Sequence, residues 1–326
     1  MTAVVLTPHR GRATSASVHI VIVNWNTGDY LRDCLASIAR SDRTGIAIAR
    51  VTIVDNASSD ESAERLGDLD VPLEIIRNDE NVGFAAACNQ GAAGSTADYL
   101  LFLNPDTRLY PKTLATVTRF MESTKGAEIG ICGVNIVDGN GRSDISCSRF
   151  PDLRVCIGKM TGLDAVFPEL FPGHHLKPAE LRESRFVDQP IGAFYFVRRE
   201  LFACLGGFDT RYFMYFEEVD FALRARAQGA RSYFLKDATA FHAGNVSSDQ
   251  VGDIRLYHSL RSRILFARRH WTPLQANLLI ALTLTLEPAA RLVKAALRRR
   301  GSDAHSVAAA YRSLVADLLG GRMQLR

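Results

Sequence analysis

From residue 18 onward the chain alternates strand-length apolar runs with amphipathic segments, and that alternation leaves few folds open to it. VHIVIVNWN, IARVTIVDN, PLEIIRND and DYLLFLNPD each hold a short block of branched or aromatic residues bounded by turn formers, the pattern of buried strands. Between them DYLRDCLASIARS, DESAERLGDL and GFAAACNQGAAG predict helices. Strands separated by helices of this length predict βαβ units with right-handed crossovers, an α/β fold with a mainly parallel sheet flanked by helices. PKTLATVTRFMES then reads as a helix and IGICGVNIVD as a strand, before a poorly patterned stretch reaching about residue 190. ARSYFLKDATAFHAG is a later strand ending at His242.

In open α/β sheets ligands bind beyond the carboxyl ends of the strands. Three of those ends carry polar clusters, Asn24-Trp25-Asn26, Asp55-Asn56 and Asn104-Pro105-Asp106, which predicts one shared site. Pro105 cannot continue a ladder, so the fourth strand stops and leaves Asp106 at its end. Asn104 and Asp106, two apart in an extended segment, point to the same side. Oxygen donors so placed suit a hard divalent cation such as Mg²⁺ or Mn²⁺, and His242 adds an imidazole. The plainer alternatives are a helix-capping Asp106 and a structural His242.

FEEVDFALRARA places Glu217, Glu218 and Asp220 in a first helical turn, where the helix dipole favours acids, and Asp220 pairs in spacing with Arg224. The preceding aromatic run FDTRYFMYF would desolvate a carboxylate and raise its pKa, the condition for a general base. In VDNASSDES, Ser58 and Glu61 have capping-box spacing, which leaves Asp55 unexplained except as an acceptor for a nucleobase N–H. Asn81 and Gly83 in NVGFAAACNQG stand at a helix entrance, where free amides suit a phosphate or ribose.

Residues 254–300 hold ten Lys and Arg against one acid, Glu287, in a chain whose net charge is only +4, so the positive field is local. The apolar stretch from Trp271 is interrupted by Gln275, Asn277 and Glu287 and falls short of a spanning helix; with its basic flank it suits an anionic membrane surface or a packed helix with solvated arginines. No nucleic-acid motif accompanies it. Six scattered cysteines without CxxC or zinc spacing fit a reducing cytoplasmic compartment. The organisation predicted is a flexible leader over 1–17, one domain over 18–253 and a helical basic region over 254–326.

Taken together, VIVNWN, VDNASSD, NVGFAAACNQG, LFLNPDT, GGFDTRYFMYFEEVDFALR and FHAG resemble the inverting nucleotide-sugar glycosyltransferases of family 2, with the Rossmann-like GT-A fold. The resemblance covers roughly residues 18–270 and points to the rhamnosyltransferase-like branch. It implies that Asn24, Trp25, Asn26 and Asp55 line the nucleotide pocket, and that Asp106, with Asn104 in place of the usual first acid, binds the cation. It implies further that His242 is a later metal or diphosphate ligand, that Glu218 is the catalytic base where the family more often has Asp, and that Gly207, Asp209 and Glu217 shape the acceptor side. Arg261 and Arg263 are candidates for a diphosphate contact. The implied reaction is metal-dependent transfer of a sugar, plausibly L-rhamnose from dTDP-rhamnose, to a cell-surface glycan or a polyprenyl-diphosphate-linked acceptor. UDP-galactofuranose, UDP-hexose and GDP-mannose are the alternative donors. A sugar-nucleotide-binding module without turnover and a nucleotidyltransferase are the alternatives of other classes.

Overall fold

The computed structural model describes residues 15–64, 66–67, 69–244, 252–297 and 301–321. Most of the leader therefore lies outside the described residues, but its end does not: the first strand already begins at Ala16, where the Ser17 backbone and hydroxyl both donate to the Asp98 carboxylate. The chain divides into two compact units, one drawn from 1–149, 175–211 and 217–247, the other from 150–174, 212–216 and 248–326.

The first unit is built on β1 (Ala16–Asn24), α1 (Asp29–Ala39), β2 (Ile46–Asp55), β3 (Leu73–Arg77), α2 (Phe84–Ala92) and β4 (Tyr99–Leu103). It continues through β5 (Thr107–Leu109), α3 (Thr113–Glu122), β6 (Ile129–Val137) and β7 (Cys147–Ser148). After residues that join the second unit come β8 (Arg185–Val187), β9 (Gln189–Pro190), β10 (Phe194–Arg198), α6 (Arg199–Cys204), α7 (Glu217–Ala227) and β11 (Arg231–His242). The main sheet runs β3-β2-β1-β4-β10-β6-β11-β5, with β8 also on β11. It is mixed, which corrects the mainly parallel expectation: β10 runs antiparallel to both β4 and β6, and β5 and β8 run antiparallel to β11. Because β10 reverses between two strands of the same sense, β1, β2, β3, β4, β6 and β11 still end on one edge.

Burial follows the sequence pattern. Leu31, Cys34, Leu35 and Ile38 of α1 recur at helical spacing and pack with Val18, Ile20 and Ile22 of β1. The small residues of α2 serve close approach: a Cβ on Gly91 would lie 2.5 Å from Val21 Cγ1. The described residues of 60–69 do not form the expected helix. The reason is local competition for hydrogen bonds: the Asp60 carboxylate accepts from the Ser62 backbone and hydroxyl and from Gly28, while Ser58 and Ser62 turn toward Asn24.

The second unit holds α4 (Leu153–Thr161), the single turn α5 (Leu163–Val166), α8 (Gly252–His270), α9 (Pro273–Leu284), α10 (Leu286–Leu297) and α11 (Gly301–Leu319). The C-terminal helices thus share a core with residues from well before 253: Cys156 and Met160 pack with Ala267, Ala276 and Leu279. Pro273–Val293 is long and apolar enough to cross a membrane by length and composition alone, but a turn at Thr285 divides it between α9 and α10. Gln275 and Asn277 fall near its start, and Glu287 near its end is buried against Arg263.

Candidate active site

The shared edge of the first unit gathers most of the expected residues. Asn24, fully buried at the end of β1, sits in register with Asp55 at the end of β2, and its Nδ2 donates to Asp55 Oδ1 (2.8 Å), Ser62 Oγ (2.8 Å) and Ser58 Oγ (3.1 Å). Thr27 Oγ1 donates to Asn24 Oδ1, so both ends of the amide are fixed. Asp55 Oδ1 also receives the Ser58 hydroxyl at 2.6 Å, whereas Oδ2 has only a long contact, 3.4 Å, from the Ser58 amide. Asn26, at φ +51°, accepts the Ser59 amide through its side chain at 2.7 Å; half-buried Trp25 lies between the two asparagines.

A second amide cluster joins β2 to α2. Asn56 Nδ2 donates to Asn81 Oδ1 (2.8 Å), Asn56 Oδ1 accepts from Asn78 Nδ2 (3.0 Å) and the Val82 amide (3.1 Å), and Asn81 Oδ1 accepts the Gly83 amide (3.0 Å). The amides of Val82 and Gly83 are therefore taken by asparagine side chains, which corrects the expectation that the entrance to α2 offers them free.

Asn104, Asp106 and His242 come together from residues 138 apart in sequence. His242 Nε2 lies 3.2 Å from Asp106 Oδ1 and 3.3 Å from Asn104 Nδ2. The backbone explains it: β5 begins directly after Asp106 and pairs with the end of β11, setting His242 opposite Thr107, and the Asn104 amide donates to Ala193 just before β10. Among the described residues no three His, Cys, Asp or Glu side chains cluster as a complete metal cage. One carboxylate, one imidazole and one amide are a donor set that needs oxygens from a ligand to fill a coordination sphere.

The acidic helix entrance reaches the same edge. Tyr195, opposite Phe102 near the end of β4, donates its hydroxyl to the Glu218 carbonyl at 3.3 Å. Glu217 is buried; Glu218 is partly exposed, yet its Oε2 and that of Glu217 are shut from solvent with no hydrogen-bond partner. Burial, reinforced by the neighbouring Glu218, holds the Glu217 carboxyl well above the usual range. Burial raises Glu218 too, against the backbone amides of Glu218 and Val219 and a hydrogen bond from Glu217, which favour its charged form. Asp220 is fully buried and pairs with Arg224 at 2.6 Å, a structural role.

The GGFD loop is braced from two helices. Asn89 of α2 exchanges two hydrogen bonds with the Phe208 backbone, 2.8 and 2.9 Å, and Arg224 donates to the carbonyls of Leu205 (2.8 Å) and Gly207 (2.9 Å). Gly207 has φ +76°, and a Cβ there would meet Asn89 Oδ1 at 2.6 Å. Asp209 is occupied by Arg211 at 2.7 Å. A cavity of about 610 Å³ lies near the start of β11, at the far end of that strand from His242; Arg149, Arg185, Arg226 and Arg231 with Glu180 and Asp188 line it, and none of the expected site residues does.

The sequence profile described as "Glycosyl transferase family 2" matches residues 19–176. The N-acetylglucosaminyl-diphospho-decaprenol L-rhamnosyltransferase of Mycobacterium tuberculosis is 26% identical over 269 residues, 77% of this chain and 84% of that protein. Rhamnosyltransferase WbbL of Escherichia coli is 27% identical over 232 residues, 69% of this chain and 82% of its own. By this profile and these relatives the chain is similar to the family 2 glycosyltransferases. Among solved structures, mannosyltransferase PcManGT from Pyrobaculum calidifontis in complex with GDP-Man and Mn²⁺ matches with a TM-score of 0.53 at 18% identity, over 99% of this chain and 83% of that one. GalNAc-T7 with UDP, GalNAc and Mn²⁺ matches with a TM-score of 0.57 at 17% identity, over 77% of this chain and 48% of that one, so this chain spans about half its length. These likenesses give the chain its GT-A fold.

Sequence reasoning missed several residues of this glycosyltransferase's site. Ser58 and Ser62 read as parts of a helix, and Asn89 gave no sign of a partner 119 positions away. Arg263, expected near a diphosphate, is instead buried in the second unit, where it pairs with Glu287 and donates to Thr283 at 3.0 Å. That carboxylate and hydroxyl already use its Nη2, so the diphosphate contact is withdrawn for Arg263. Arg261 lies 3.6 Å from Asp317.

Proposed function

We propose that this glycosyltransferase moves L-rhamnose from dTDP-rhamnose to a polyprenyl-diphosphate-linked glycan acceptor, with a divalent cation and with inversion at the anomeric carbon. The donor and acceptor follow the printed activity of the mycobacterial relative, of which the chain covers 84%. The observation that carries the site assignment is the meeting of Asp106, His242 and Asn104 at the edge where Asp55 also ends its strand.

In this reading Asp55 accepts a ring N–H of the nucleobase through Oδ2, the oxygen its neighbours leave lightly used. Asn24 and Ser58 hold that carboxylate in place. Asp106 and His242, with Asn104 beside them, would hold Mg²⁺ or Mn²⁺, which would supply neutralisation of charge on the leaving group. Glu218 accepts the proton of the acceptor hydroxyl as that oxygen bonds to the anomeric carbon and the carbon–oxygen bond to the diphosphate breaks. Attack from the face opposite the leaving group inverts the centre.

The second unit supports work at a bilayer: Leu274, Leu278, Leu286, Leu292 and Val293 are exposed along α9 and α10, in a region rich in arginine. The deciding experiment offers purified protein a panel of dTDP-, UDP- and GDP-sugars with Mn²⁺ and a short-chain polyprenyl-diphosphate acceptor. Release of dTDP from dTDP-rhamnose above the other donors supports the reading; preference for another donor replaces the sugar, and release of pyrophosphate replaces the reaction.

A further inference from the structure

Asn89 stands inside α2, where asparagine is a poor helix former, and its side chain bonds to no residue of its own helix. Both ends of its amide go to a single residue of the GGFD loop: Nδ2 donates to the Phe208 carbonyl at 2.8 Å, and Oδ1 accepts the Phe208 amide at 2.9 Å. This is the exchange that two paired strand residues make, and it needs a donor and an acceptor on one short side chain. The loop is shaped to receive it. Gly206 and Gly207 have φ +71° and +76°, and Asn89 Oδ1 would lie 2.6 Å from a Cβ on Gly207, so the asparagine fills the space that the missing side chain leaves.

Phe208 carries that hold into the core toward α7. Its ring centre lies 4.9 Å from that of Phe102 on β4, 5.2 Å from Phe202 on α6, 5.4 Å from Phe221 on α7 and 6.0 Å from Tyr195 on β10. Two of these neighbours reach the acidic helix entrance. Phe221 sits one turn into α7, and the Tyr195 hydroxyl donates to the Glu218 carbonyl at 3.3 Å. A second tie is polar: Arg224 of α7, paired with Asp220 at 2.6 Å, donates to the carbonyls of Leu205 and Gly207 on the same loop. At its other end α2 begins in the Asn56–Asn81–Gly83 cluster, directly after the strand that ends on Asp55. One helix therefore connects the Asp55 strand end to the loop against which α7 packs.

We propose that Asn89 is a positioning residue for sugar transfer: by bonding both backbone groups of Phe208 it fixes the GGFD loop and, through the Phe208 ring, the entrance of α7 that presents Glu218. The proposal rests on Glu218 being the base and on the GGFD loop lying on the acceptor side. Asn89 acts through Phe208 rather than on a substrate. A catalytic group misplaced by about 1 Å costs on the order of 10²-fold in rate, so loss of the brace is felt in transfer. The nucleotide side is spared, because Asp55 is held by Asn24 and Ser58 and not by the loop.

The test compares the parent chain with Asn89→Leu, Asn89→Asp and Phe208→Leu by steady-state transfer, by titration of dTDP, UDP and GDP with Mn²⁺, and by amide hydrogen exchange. Leucine at 89 removes both polar groups, aspartate keeps the acceptor and loses the donor, and Phe208→Leu keeps both backbone bonds but removes the ring. Each leucine variant should lower kcat/KM for the acceptor by about 10- to 100-fold while nucleotide affinity stays within about 2-fold, with Asn89→Asp between them and the parent. Exchange should quicken at 205–208 in Asn89→Leu and at 217–221 in both leucine variants, with 81–84 as protected as in the parent. Unchanged acceptor kcat/KM in either leucine variant, an equal loss of nucleotide affinity, exchange that quickens only in the loop, or a uniform rise across the sheet each overturns the proposal. If Asn89→Leu does not fold, Asn89→Asp is judged by the same readouts. Turnover retained by Glu218→Gln is a separate result: it removes the base assignment, whereas the exchange pattern reports the brace whichever donor or base the reaction uses.

Discussion

Asp55 and the Glu217–Glu218 pair are acidic groups at the same sheet edge, and the protein surrounds them in opposite ways. Asp55 is held by the Asn24 amide and the Ser58 hydroxyl, with Ser62 and Thr27 fixing the asparagine in turn. The glutamates stand in the first turn of α7, and each has a buried carboxyl oxygen without a hydrogen-bond partner. A carboxylate whose donors are all in place can serve as a rigid acceptor for a ligand that arrives already formed. A carboxylate short of donors is ready to take a proton, and its buried charge is costly. On the proposed reading, the difference separates recognition from chemistry within a few strand ends.

The largest effect that sharpens this contrast is Glu218→Gln, which is expected to lower kcat by about 10³-fold with nucleotide affinity retained, read by steady-state transfer and by titration of the nucleoside diphosphate. Next, Asn24→Ala removes the donor shared by Asp55, Ser58 and Ser62. It should destabilise the protein by about 1–3 kcal/mol in urea melts and weaken nucleotide binding together with it. A loss of binding without a loss of stability would mean that Asn24 touches the ligand rather than bracing Asp55. Smaller again, Gly207→Ala puts a side chain at φ +76° against Asn89 Oδ1, at a cost of roughly 1–2 kcal/mol. Acceptor KM should rise while donor affinity holds.

The smallest expected effect is on stability against pH. Glu217 and Glu218 both have raised ionisation in the folded state, so the folded chain holds their protons more tightly than the unfolded one. Their contribution is fully present below the ordinary carboxylate range and is lost as pH rises through their raised folded values. Glu217→Gln should therefore melt higher than the parent at pH 8 and level with it at pH 4, by differential scanning calorimetry.

Much of the fold was legible because burial on both faces leaves a strong signature. β1, β2 and β4 read as apolar runs, and α1, α2, α3 and α7 as helical patterns. The reversal of β10 was not, because FYFVR is as apolar as a parallel strand and direction leaves no trace in composition. The strand-end residues of the site were legible as polar letters after apolar ones. Their partners were not: Ser58 fits a capping box by spacing, and only the fold shows its hydroxyl donating to Asp55. The Gly83 amide failed as a free anion donor because Asn81, two residues before it, accepts it, and only the fold shows that Asn56 takes the neighbouring Val82 amide. Arg263 was misjudged because net charge does not reveal a buried carboxylate on a neighbouring helix.

The most direct test compares Asp106→Ala with Glu218→Gln for binding of the nucleoside diphosphate with Mn²⁺ and for sugar transfer. Asp106→Ala should lose cation-dependent binding and, with it, about 10²–10³-fold in transfer, whereas Glu218→Gln should bind as the parent does and transfer almost nothing. Cation-dependent binding that survives in Asp106→Ala, or that vanishes equally in both, would contradict the division of labour drawn from the geometry.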